Sequence, residues 1–210
     1  IHDLYGGGIY VRKIETPPIV KNNKIINTWG LNPTPDTGGA FDNYGDGVYL
    51  SYVKQAKVEH NYIYNDLNVT NNYGRAGIVF EYDAEQCIAR YNRIHGYDRN
   101  IHIELSKGNH EIQCNKLTGS DLGIIASSNT APSIIENNII TNEGAVTGLR
   151  NIIGPHALIY VYGNYVGDNG YIIRKNHVKL FESYKKSLLF LSHRDGFVIE
   201  DNTFECETTR

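Results

Sequence analysis

ARYNRI (89–94), IQCNKL (112–117) and IENNII (135–140) are one motif written three times at intervals of 23 residues. Each has an apolar residue, two variable residues, an asparagine, one variable residue and a second apolar residue. The pattern returns as VKNNKI (20–25), VEHNYI (58–63), IRKNHV (173–178) and IEDNTF (199–204). Its asparagines are Asn23, Asn61, Asn92, Asn115, Asn138, Asn176 and Asn202, so successive spacings are 38, 31, 23, 23, 38 and 26. The shortest spacing is the base period, and the longer ones add a loop. A period of this length marks a repeat architecture: one unit cannot bury its apolar face alone, but a stack can.

A second element begins about fifteen residues before each asparagine. Asn92 leads back to Gly77, Asn115 to Asn100, Asn138 to Gly123, Asn202 to Ser187 and Asn23 to Gly8. Asn61 reaches Gly47 after fourteen residues, and Asn176 reaches Ala157 after nineteen. The runs that start there, such as GVYLSY (47–52), GIVFEYD (77–83), NIHIELS (100–106) and GIIASSN (123–129), alternate as half-buried strands do. Helical periodicity is nearly absent. These features predict an all-β chain: a right-handed parallel β-helix of about seven coils with long loop insertions, one domain over residues 1–210. The start at Ile1, followed at once by the strand-like LYGGGIYVRK (4–13), suggests a fragment of a longer chain. Asparagine suits the repeated corner because it tolerates left-handed backbone and because stacked amides can hydrogen-bond in a ladder.

Composition narrows the function. A net charge of −3 suggests no polyanion partner, so no nucleic acid is expected. Cys87, Cys114 and Cys206 have no metal-site spacing, and an odd count argues against a disulfide framework. No metal and no cofactor are expected. No apolar run approaches the ~18 residues of a membrane span, so no membrane insertion is expected.

Alternation assigns the two faces of the first strand of each coil. The inward residues are Ile9 and Val11, Val48 and Leu50, Ile78 and Phe80, Ile101 and Ile103, Ile124 and Ala126, Leu158 and Tyr160, Leu188 and Phe190. One outward ladder then runs Tyr10, Tyr49, Val79, His102, Ile125, Ile159, Leu189. The other runs Arg12, Ser51, Glu81, Glu104, Ser127, Val161, Leu191. The last rungs are apolar, so either the 141–156 loop or a neighbouring subunit must cover them. The earlier rungs are polar and remain open. They are flanked by the 28–46 insertion, with Trp29, Asp36, Asp42, Tyr44 and Asp46, and by shorter ones with Tyr73, Arg75, Tyr97, Asp98 and Arg99.

Glu81 and Glu104 fall side by side on neighbouring rungs. Like charges directly opposite destabilise a sheet. At ~5 Å and an effective dielectric of ~20 their repulsion is roughly 3 kcal/mol, enough to separate the two titrations. One protonated and one ionised carboxyl is the arrangement that glycoside hydrolysis uses. His102, two residues from Glu104 on the same face, can orient a carboxylate or act as a base. Asp83 extends the acidic row. Arg12, Tyr49, Trp29, Asp46 and Tyr97 are the candidate substrate contacts: Asp46 because "GDG" delivers it to the lip of the second rung, and the aromatic rings because they stack on sugars.

The coils VEHNYIYN, ARYNRIHG, IQCNKLTG and IEDNTFEC resemble those of right-handed parallel β-helix carbohydrate-active proteins. The long loops and the GDGVYL entry (45–50) resemble phage tailspike depolymerases in particular. That resemblance implies a homotrimer in the virion tail that binds and cleaves a bacterial surface polysaccharide, capsule or O-antigen, outside the cell. Neither the doubled aspartate of polygalacturonases nor the calcium site of pectate lyases is present. Three functions follow: an endoglycosidase using Glu81 and Glu104; a polysaccharide lyase with His102 or Tyr49 as base and Arg12 as cation; and a non-catalytic glycan-binding or structural part of a fibre.

Overall fold

The computed structural model describes residues 1–5, 7–29, 45–66, 74–120, 122–127, 130–143, 156–163, 170–181, 186–192 and 196–207. Within them the chain is a right-handed parallel β-helix with three faces, and every strand pairs in parallel with its equivalents in the coils before and after. Sheet 1 holds eight strands, from His2–Tyr5 and Lys24–Trp29 to Thr203–Glu207. Sheet 2 holds Ile9–Arg12, Val48–Ser51, Ala76–Glu81, Arg99–Glu104, Leu122–Ser127, His156–Tyr162 and Lys186–Ser192, in that order. Sheet 3 holds seven short strands, from Ile19–Lys21 to Val198–Glu200.

The core lies between the sheets. Its inward rows include Val48, Leu50, Ile78, Phe80, Ile101, Ile103, Ile124 and Ala126 from sheet 2, facing Ile25, Ile63, Ile94, Leu117 and Ile140 from sheet 1. Glycine is required at position 47, where sheet 1 turns into sheet 2. A Cβ on Gly47 would lie 2.5 Å from the Gly77 carbonyl oxygen and 2.5 Å from Ile63 Cγ2.

The asparagine ladder forms as expected, but for only one of the two reasons given. Each Nδ2 donates to the Oδ1 of the next coil at 3.0 Å, from Asn23 through Asn61, Asn92, Asn115, Asn138 and Asn176 to Asn202. Each of these Oδ1 atoms also accepts the backbone N–H of the preceding ladder member. The left-handed conformation belongs instead to the residue before: Asn22, His60, Tyr91, Cys114, Asn137, Lys175 and Asp201 all have φ between 53° and 59°. That twist aims the following amide along the stack.

The expected register holds for the first five strands of sheet 2: Tyr10↔Tyr49, Tyr49↔Val79, Glu81↔Glu104 and His102↔Ile125 all pair. It slips by one residue in the last two. Ile124 pairs with Ile159, not Leu158, and Ile159 with Leu189. Ile159 and Val161 are therefore fully buried in the core, with Leu189 and Leu191 packed against it. Tyr160, Tyr162 and Phe190 take the outward positions. The apolar outward stripe does not exist, and a homotrimer needed to cover it loses that support. Most of the 141–156 loop lies outside the described residues.

Candidate functional site

The middle rungs of sheet 2 carry the largest concentration of buried charge in the described structure. Contrary to expectation, most of this outward face is closed. Glu81 is 5 % exposed, Tyr49 6 % and His102 2 %, although all three point away from the core. Glu104 keeps a third of its side chain exposed.

Asp46 and Arg75 form the base of the site. The Arg75 guanidinium grips Asp46 with two parallel bonds, Nε to Oδ1 at 2.9 Å and Nη2 to Oδ2 at 2.7 Å, and Asp46 is fully buried. This bidentate geometry is the strong form of the interaction. The same Nη2 lies 3.8 Å from Glu81 Oε2. The Tyr49 phenol lies close enough to Glu81 to favour its charged form, and its ring stacks on Tyr10 with centroids 4.2 Å apart. Burial, opposed by Arg75 and Tyr49, holds the Glu81 carboxyl above the usual range, and Glu104 and Asp46 push it further up. Arg75 spends its best geometry on Asp46, so it only partly offsets the desolvation of Glu81.

His102 sits between Val79 and Ile125 on the ladder. Its Nε2 lies 3.4 Å from Glu104 Oε2 and 3.5 Å from Arg99 Nη1. Burial and the guanidiniums of Arg99 and Arg75 push its pKa well below the usual value, so it is neutral. A neutral ring cannot donate to Glu104 and accept from Arg99 through one nitrogen. Nδ1 is buried without a partner. Leaving an acceptor unpaired costs less than leaving an N–H unpaired, which favours the tautomer with the proton on Nε2, facing Glu104. Arg99 Nε and Ser127 Oγ are likewise buried without partners.

The remaining predicted residues lie elsewhere. Asp83 falls past the end of the strand, in a left-handed corner (φ 59°), with its side chain 58 % exposed and 4.0 Å from Lys107. Arg12 lies over the Tyr52 ring at 5.4 Å and is two rungs from Glu81. Tyr97 is a core residue whose hydroxyl meets Thr28 Oγ1 at 2.7 Å, so it presents no face to a sugar. Asp46 is paired in the interior instead of standing at the lip. Trp29 ends a strand of sheet 1; its side chain, with Asp36, Asp42, Tyr44 and Tyr73, lies outside the described residues. Arg75 and Arg99, named only as flanking loop residues, are the cations of the site. Aligning the coils on their corner residues would have found Arg75: Gly45–Asp46 sits on the rung next to Gly74–Arg75, and Arg75 N–H donates to Gly45 O at 3.1 Å.

Two other groupings are structural. His110 accepts the Cys87 N–H on Nδ1 and so donates from Nε2 to Ser106, and a donating imidazole is not the base of that hydroxyl. Two surface hollows, about 510 and 660 Å³, are lined by solvated residues such as Lys24 and Tyr62, or Gln55 and Gln86, and neither contains Glu81 or Glu104.

Fold and site define a parallel β-helix with a charged cluster on one outer face. A family model described as periplasmic copper-binding protein (NosD) matches residues 3–209, and the chain belongs to that family. No curated protein and no solved structure matches it. Copper favours thiolate, thioether and imidazole donors. Among the described residues no three His, Cys, Asp or Glu side chains gather to hold a metal, and the chain has no methionine. His102 and Glu104 come together, but the two guanidiniums beside them oppose a cation. The described residues do not fit a copper ion.

Proposed function

We propose that this face binds a bacterial surface polysaccharide and hydrolyses it, with Glu81 as general acid and Glu104 as base or nucleophile. One observation carries the reading: two carboxyls on adjacent rungs stand in unlike environments. Glu81 is buried, which raises its pKa, while Glu104 is partly solvated and lies 3.4 Å from His102 Nε2. Unlike environments for two neighbouring carboxyls suit unlike roles in catalysis. Arg75 and Tyr49 flank the Glu81 carboxyl, and His102 orients Glu104.

A second reading has its own support. The neutral His102 and the guanidiniums of Arg75 and Arg99 suit a lyase acting on an acidic sugar, in which a cation stabilises the charge that develops as a base removes a proton. Both readings set the protein outside the cytoplasm, as the family's periplasmic description does for its members. A place in a phage tail, and a homotrimer, rest on the tailspike resemblance alone.

Incubation with a panel of capsular and O-antigen polysaccharides tests both. New reducing ends without unsaturated uronates support the hydrolase, and unsaturated ends support the lyase. Saturable binding with neither product leaves a glycan-binding protein. The hydrolase further requires that Glu81→Gln and Glu104→Gln each lower turnover by a hundredfold or more, about 3 kcal/mol of transition-state stabilisation.

A further inference from the structure

The register of the last two strands changes what lies beyond the acid pair. Continuing outward from Glu104 along sheet 2, the next rung carries Ile125 and Ser127, the next Tyr160 and Tyr162, and the last Phe190 and Ser192. Tyr160 and Tyr162 stack on one strand with centroids 4.8 Å apart and planes at 21°. Phe190 meets Tyr160 edge-on at 5.2 Å. All three rings are half-buried and take outward positions of sheet 2. Ser127 pairs with Tyr162 in the ladder, and its buried hydroxyl has no partner. On the other side of the acids, Tyr10 is 59 % exposed and stacks on Tyr49.

We infer that Tyr160, Tyr162 and Phe190, with the Ser127 hydroxyl, form a glycan-binding platform on the C-terminal side of Glu104. This deepens the proposed function and rests on it. Rungs are spaced ~4.8 Å apart, close to the length of one sugar ring, so Tyr162 stands about two sugars from Glu104. The Tyr10–Tyr49 pair lies one to two sugars away on the opposite side of Glu81. A carbohydrate chain laid along the helix axis is held on both sides of the acids, and cleavage falls inside the chain. The platform's rings carry no formal charge, which fits the apolar faces of sugars better than an anionic polymer. An unpartnered hydroxyl among rings suits a ligand that itself carries hydroxyls.

The experiment is affinity electrophoresis of the intact protein in gels containing each polysaccharide of the panel. A Glu104→Gln background prevents turnover. At least one polysaccharide should retard the protein, in low and in high salt alike. Tyr160→Ala/Tyr162→Ala should weaken that retardation at least tenfold, while Tyr160→Phe/Tyr162→Phe, which keeps both rings, should restore it. Tyr52→Ala/Tyr82→Ala, a stacked pair on the neighbouring corner, should leave it unchanged. Unaltered binding in the Tyr160/Tyr162 alanine variant overturns the inference, as does failure of every polysaccharide to retard the parent. Retardation that depends on these rings, in a parent without cleavage activity, supports the platform and removes the hydrolase. Cleavage that ignores the rings removes the platform alone.

Discussion

Asn115→Ala removes the middle member of the asparagine ladder, and the structure states what is left behind. The Asn115 amide donates to Ala89 O at 2.9 Å and to Asn138 Oδ1 at 3.0 Å, and its oxygen accepts both the backbone N–H and the Nδ2 of Asn92 at 3.0 Å. Asn138 Oδ1 keeps the Asn115 backbone N–H, and Asn92 Nδ2 keeps Val58 O. The Asn92 N–H is the clear orphan. One buried orphan costs ~1–3 kcal/mol and each surviving partner loses a bond worth ~1 kcal/mol, so the total is about 4 kcal/mol. Asn115→Asp is a sharper probe. Ionised, its second oxygen faces Ala89 O and Asn138 Oδ1, both acceptors. Protonated, it can donate to one of them. The folded state therefore raises this carboxyl's pKa. Its contribution is fully present below the ordinary aspartate value of ~3.9 and is lost as pH rises through the folded value. Urea unfolding followed by circular dichroism should give Asn115→Asp a midpoint near the parent's at pH 4 and far below it at pH 8. The ladder argument fails if Asn115→Ala costs less than 1 kcal/mol, or if Asn115→Asp shows no pH dependence beyond that of the parent.

Four further outcomes follow from particular contacts. Gly47→Ala should destabilise by ~2 kcal/mol or more, because the new methyl meets the rigid Gly77 carbonyl; a thermal melt within 2 °C of the parent, roughly the scale of a negligible change, contradicts this. Tyr97→Phe should cost about 1 kcal/mol by stranding the Thr28 hydroxyl, with polysaccharide binding intact, because Tyr97 is interior. Burial holds His110 neutral, with its pKa moved from 6.5 to about 3; its contribution is whole above pH 6.5 and falls by about 5 kcal/mol as pH drops toward 3, which unfolding curves across that window measure. Glu81 has the opposite sign: its raised pKa makes its contribution whole at acid pH and lost as pH rises, so Glu81→Gln should gain on the parent in stability as pH rises, and equal curves at all pH values would mean Glu81 is not desolvated.

The coil count, the order of sheet 2 and the adjacency of Glu81 and Glu104 were all readable from the asparagine motif, because ladder, corner and core repeat in every coil. The register of the last two strands was not. In HALIYVY (156–162) both parities offer apolar residues, Leu158 with Tyr160 or Ile159 with Val161, and the insertion before it removes the counting anchor. The phenolic hydroxyls of Tyr160 and Tyr162 were the available clue, since they mark the face that meets solvent. The closure of the middle rungs was hidden for another reason. Alternation tells in from out but not whether the outside is covered, and the small Tyr49, Ala76 and Val79 cluster that packs there is formed across strands.

The same division bears on what family membership implies. The positions that recur from coil to coil are the ladder asparagines, the left-handed residue before each and the inward aliphatic rows. They fix the backbone in every described coil. The outward positions of sheet 2 do not recur: going from coil to coil they read Ser51, Glu81, Glu104, Ser127 and Tyr162 in one ladder, and Tyr49, Val79, His102, Ile125 and Tyr160 in the other. Chemistry in a β-helix is written in those non-recurring positions. The match over residues 3–209 spans the recurring frame, whereas copper binding would have to be spelled by outward ligands. On the described outer face those positions spell two carboxyls, a neutral imidazole and a row of aromatic rings, with the Arg75 and Arg99 guanidiniums beside them. The two guanidiniums in that set oppose a bound cation, so the polysaccharide proposal rests on the residues that vary and not on those that repeat.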